Sequence, residues 1–89
     1  ARAVRNALRF LAAEGTSLGF PWTSAVRGEP GMRELRPRRG RCAIRVLYRR
    51  HGAGLDLLAI APDGAGDPRR FGEAAARARA RASDLDDRK

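Results

Sequence analysis

Glu34, Arg36, Arg45, Arg49 and His51 are the side chains of this sequence best placed to do chemistry, all of them between residues 34 and 51. A guanidinium is always charged and presents a planar fork that matches a phosphate, but with a pKa above ~12 it is a poor acid or base. His51 is the sole histidine, and an imidazole's ordinary pKa lets it move a proton near neutral pH. Glu34 carries a carboxylate that could accept one. Opening a phosphodiester needs a base for the attacking hydroxyl, a cation for the charged phosphorane and an acid for the leaving oxygen. Arginines suit the second role, and Glu34 and His51 are candidates for the other two. The ordinary readings are solvated hairpin arginines, a turn histidine and a glutamate that neutralises its neighbours. Tyr48 lies on the expected core face and reads as packing.

Residues 32–50, "MRELRPRRGRCAIRVLYRR", hold eight arginines and one acid. The whole chain is as biased: 89 residues carry a net charge of +9, with Lys89 the only lysine. Such a field favours polyanions, whether nucleic acid, an anionic membrane face or an acidic protein. The length fits a single domain over residues 1–89 with one modest core. One cysteine excludes an internal disulfide and fits a reducing cytoplasm. A structural zinc needs about four ligands, which one Cys and one His do not provide. No metal and no cofactor is expected. No apolar run reaches the ~20 residues of a membrane span, so no membrane partner is expected.

Positioning these residues falls to a short order of elements. In residues 2–14, Val4, Ala7, Leu8, Leu11 and Ala12 recur at helical spacing, and Gly15 is a natural stop. A Gly/Pro-punctuated connection follows, with Trp22 and Val26 as anchors and only a weak strand signal. Residues 32–36 predict a short strand, "PRRG" a turn, and residues 41–50 a longer strand. In that strand Cys42, Ile44, Val46 and Tyr48 face one way, and Ala43, Arg45, Leu47 and Arg49 the other. Cys42 is expected in the core. "LDLLAIA", residues 55–61, is apolar on both faces and predicts a central strand, completing an antiparallel meander. Asp67 as N-cap and Pro68 at N1 open the last helix, which seats Phe71, Ala75, Ala78, Ala82 and Leu85 on one face. The end, "SDLDDRK", is expected to fray. The fold class is α+β: an N-terminal helix on a small antiparallel sheet, with a C-terminal Ala/Arg-rich helix.

"SLGFPWTSAVRGEPGMRELRP", "RCAIRVLYRR" and "LDLLAIAPDGAGDPRRFGEAA" together resemble the RelE/ParE superfamily of bacterial toxins. The nearest branch is the HigB-like, phage-derived toxins, whose pattern runs roughly SLGxP, KG, ELRP, RVLY, FxEA. The resemblance spans residues 4 to about 80, and it is the order of these short pieces that makes it specific. It implies the toxin of a type II toxin–antitoxin system: a ribosome-dependent mRNA endonuclease that uses the substrate's own 2′-OH and no metal. The implied partners are a cognate acidic antitoxin, the ribosome and mRNA. Family members carry a strand ahead of the first helix, so the expected sheet lacks the family's first strand.

Residue by residue, Arg45 matches the family position that holds the scissile phosphate, and Arg36 a basic strand position facing the same groove. Phe71 stands where RelE-type enzymes carry a catalytic Tyr, so it could stack on a base but not transfer a proton. The family's basic residue after the last strand has no counterpart in "APDGAGDP", and Arg69 or Arg70 could substitute. The expected catalytic residues are Arg45 and His51. The expected RNA-binding set is Arg36, Arg38, Arg39, Arg49, Arg69, Arg70 and Phe71. Two rival functions follow: a ParE-like gyrase inhibitor on the same fold, or a non-catalytic nucleic-acid-binding remnant of a phage-derived toxin.

Overall fold

Val46, Leu47 and Tyr48 are consecutive in the long basic strand, and each is at most 1% exposed. Successive strand side chains point to opposite faces, so three buried in a row require cover on both sides. The computed structural model describes residues 2–14, 19 and 22–88, with the side chains of residues 3, 39 and 40 outside the description. Among these residues the order is α1 (Arg2–Glu14), β1 (Thr23–Ala25), β2 (Met32–Leu35), a 3-10 turn (Pro37–Gly40), β3 (Ile44–His51), β4 (Gly54–Pro62) and α2 (Pro68–Asp87). The strands form one antiparallel sheet in the order β1-β2-β3-β4.

Each helix covers one face. Ala7 and Leu11 of α1 pack with Leu35, Val46 and Tyr48, and Val4, Leu8, Trp22 and Leu55 close around them. Opposite, Ala74, Ala75 and Ala78 of α2 pack on Val26, Met32, Leu47, Leu58 and Ala61, with Phe71, Ala82 and Leu85 at the margin. An alanine face lets a helix lie close to a sheet, and the large residues of the sheet supply most of the buried area. Each large side chain so buried contributes roughly 1.5–3 kcal/mol. Asp67 caps α2 by accepting the Arg70 N–H at 3.1 Å, and Pro68 follows at the first turn. The α+β architecture read from the sequence is the one observed.

Several local expectations change. Thr23–Ala25 is a strand, so the meander has four members. Its hairpin with β2 turns through Gly28 and Gly31, at φ 80° and 79°, where a side chain would be strained. β3 begins at Ile44, not residue 41, and the Cys42 carbonyl before it accepts from the Arg45 guanidinium. Cys42 is half-buried outside both core clusters. β4 is an edge of the described sheet, not its centre. A bulge between the pairs Leu47–Ala59 and Tyr48–Leu57 inserts Leu58 and turns it toward α2. Leu57 and Ile60 lie on the α1 side of this edge, beyond the helix, and are 48% and 57% exposed. α2 does not fray at Ser83 but continues to Asp87. The expected stop at Gly15 lies outside the described residues.

Leu47→Ala should lower the unfolding free energy by about 2–5 kcal/mol, the cost of a cavity where no neighbour can collapse. Leu57→Ala should cost under about 1 kcal/mol. Urea unfolding of the two variants beside the parent chain checks the contrast, and equal losses would contradict the two-faced core.

Candidate functional site

The apolar middle of β3 sends its ionisable residues to the strand ends. Arg45 is at one end and Arg49 and His51 at the other, so Arg45 and His51 are six residues apart, about 20 Å at ~3.3 Å per residue. The two expected catalytic residues therefore do not share a site.

At the Arg45 end a cleft of about 420 Å³ opens on the α2 side, lined by Ser24, Arg27, Glu34, Arg36, Asp63 and Phe71 among others. β1 and β2 supply one wall. Ser24 and Glu34 are cross-strand partners, so both project to this face. Arg36 follows β2 and pairs with Glu34 at 2.8 Å, both side chains being largely buried. The loop after β4 and the start of α2 supply the other wall. The Phe71 ring rests on Gly64, where an added Cβ would stand 3.2 Å from the ring carbon Cγ. A side chain there would require the ring to shift by a few tenths of an ångström.

Arg45 sits behind this cleft at 5% exposure. Its Nη1 donates to the carbonyls of Cys42 and Ile44, and its Nη2 lies 3.6 Å from Asp63. Its guanidinium is thus committed to the backbone and clamps the start of β3 to the loop that carries Asp63 and Gly64. In this arrangement Arg45 positions the cleft wall and does not face into the cleft.

The other expected RNA-binding residues scatter. Arg69 and Arg70 are exposed on the first turn of α2, with Arg70 3.7 Å from Asp67. Arg38 is exposed on the α1 side of the same sheet end. The Arg39 side chain lies outside the described residues. Arg49 belongs to the opposite end, where it donates to Asp56 at 2.9 Å and to both carboxylate oxygens of Asp86. His51 Nδ1 is 3.0 Å from the same Asp56 oxygen. Asp86 first and Asp56 next hold the Arg49 guanidinium above its usual range, so it stays charged. The Asp56 carboxyl is held below the usual aspartate range, chiefly by the Arg49 hydrogen bond and then by His51, against partial desolvation. This cluster ties α2 to the β3–β4 hairpin. A further hollow of about 390 Å³ between α1 and that hairpin has, among the described residues, Arg50 as its one charged lining residue.

No family model, curated protein or solved structure matches this chain. The site therefore stands on its own geometry. Among the described residues no three His, Cys, Asp or Glu side chains converge as a metal centre would require, and no helix is long and apolar enough to cross a membrane. Sequence reasoning missed Ser24, Arg27 and Asp63. The first two fall in or beside a strand too short to show alternation. The usable signal was the "RGEPG" turn, which implies a strand on each side.

Asp56 predicts an acid-dependent loss of stability. Its folded pKa lies below its unfolded one, so its stabilisation is complete above about pH 4 and disappears as pH falls through the folded value. Urea midpoints of the parent and Asp56→Asn chains, compared from pH 5 to pH 2, should converge at the acid end. A gap that stays constant would remove Asp56 as its source.

Proposed function

We propose that this protein is a metal-independent endoribonuclease of the RelE/ParE toxin type, acting on mRNA at the ribosome and held in check by an acidic antitoxin. One observation carries the reading: the Glu34–Arg36 pair at 2.8 Å shares its cleft with Arg27 and the Phe71 ring. That set supplies two of the three groups RNA transesterification uses, the cation and the base. Arg36 would grip the scissile phosphate and meet the charge that grows on it. Glu34, beside it, would take the proton of the attacking 2′-OH as the P–O5′ bond breaks, and the leaving oxygen would take its proton from water. Phe71 would support a flanking base by stacking. Arg45 would act through the wall it holds. The exposed arginines of α2 would add a salt-sensitive attraction to ribosomal RNA. The resemblance in the sequence supports the same reading independently of the geometry.

A second reading, RNA binding without cleavage, is favoured by a different observation. Among the described residues, those lining the cleft include no histidine or tyrosine to protonate the leaving oxygen.

Primer extension on an mRNA in a reconstituted translation system separates the two. Under the first reading the parent chain cuts within codons only when ribosomes are present. Glu34→Gln and Arg36→Ala should each slow cutting by about 10²- to 10³-fold while the proteins stay folded. Arg45→Ala should also reduce cutting, but together with a loss of stability of about 1–3 kcal/mol, because the Cys42 and Ile44 carbonyls lose their donor. A folded parent chain that leaves the mRNA intact sinks the endonuclease reading, and inhibition of gyrase supercoiling becomes the next assay.

A further inference from the structure

Phe10 is out of place on α1. The core stripe of that helix is Val4, Ala7, Leu8 and Leu11, yet Phe10 stands beside it at 36% exposure. Its ring meets Trp22 edge to face, with centroids 4.8 Å apart at 72°. The two rings belong to a hollow of about 250 Å³ completed by Asn6, Ala7 and Arg38. Asn6 precedes Phe10 by one helical turn, so both project from the same side. Its amide offers both donors and an acceptor.

Arg38 is the second anomaly. It is the only non-glycine among the described residues with a positive φ, 54°, a conformation that L side chains rarely adopt. The buried Pro37 fixes the preceding residue of that turn. The result is that Arg36 turns into the cleft on the α2 side while Arg38 turns into the hollow on the α1 side. The segment between them is held to β1, where the Trp22 carbonyl accepts the Arg36 N–H at 2.7 Å.

We propose that the hollow of Asn6, Phe10, Trp22 and Arg38 is a nucleobase subsite that seats one base of a single-stranded RNA and its adjoining phosphate. The exposed Phe10 ring supplies a stacking face, Asn6 reads the edge of the base, and Arg38 takes the phosphate. An RNA strand leaving the Arg36 cleft would pass over Pro37 and place a neighbouring nucleotide here. The inference rests on the RNA reading above for the identity of the polymer, but not on cleavage.

Trp22 is the only tryptophan of the chain, so its emission reports on this hollow directly. The test titrates the full chain with a short oligoadenylate and with an abasic oligomer of equal length and charge. The parent chain should quench with the first and bind it roughly 5- to 100-fold more tightly than the second. Phe10→Ala should remove most of that gap, and Phe10→Tyr should keep it. Phe10 is exposed, so these variants should fold, and helical circular dichroism checks that they do. Arg38→Gly relieves the backbone and should weaken both oligomers alike. Equal affinity of the parent for the two oligomers, or a gap that survives Phe10→Ala, overturns the subsite. Glu34→Gln should leave the gap untouched. Base-dependent binding without mRNA cutting therefore removes only the endonuclease reading, and cutting without a gap removes only the subsite.

Discussion

The double-sided burial of β3 is the constraint on which the rest of this structure depends. Val46 and Tyr48 need α1, and Leu47 needs α2. An 89-residue chain can build only a modest core, and here it spends both helices on a single strand. Charge cannot enter the middle of that strand without an unpaired burial cost. The many arginines of the hairpin are therefore displaced to its two ends. One end becomes a cleft with a paired acid and base. The other becomes an ion-pair cluster that fastens the last turns of α2 to the hairpin.

Wherever a local pattern decides the outcome, the fold was legible in the residues. The helical stripe of α1 through Val4, Ala7, Leu8 and Leu11, the alternation through Val46, Leu47 and Tyr48, and the Asp67–Pro68 cap appear where expected, while Ala12 at the end of the stripe is exposed. What escaped depends on distant parts of the chain. "LDLLAIA" reads as a central strand because it is apolar, but whether a strand is central depends on its neighbours. Here Leu57 and Ile60 stay exposed among the described residues. The bulge at Leu58 was invisible for the same reason, since it arises from the register with β3. The last turns of α2 looked ready to fray only because the partner of Asp86 lies 37 residues earlier, at Arg49.

The candidate site was less legible than the fold. A motif marks Arg45 as a phosphate ligand, but no sequence pattern reveals that its guanidinium is already held by two backbone carbonyls. The distinction is one of layers. Arg36 and Glu34 form the wall that solvent meets, and Arg45 holds the frame behind them. A substitution in the first layer would remove a contact in the cleft, and one in the second would change the cleft's geometry.

The meander has a kinetic consequence. Every strand pairs with its neighbour in the chain, so the sheet can assemble hairpin by hairpin with little loop entropy to overcome. During synthesis β1 to β4 emerge first and can pair with α1 already present. Leu47, Leu58 and Ala61 then face solvent until residues 68–87 follow. A nascent sheet with one bare apolar face and a nine-residue edge is the species most prone to sticking to others of its kind. The alanine-rich helix ends that interval, and its high intrinsic helix propensity favours a prompt close.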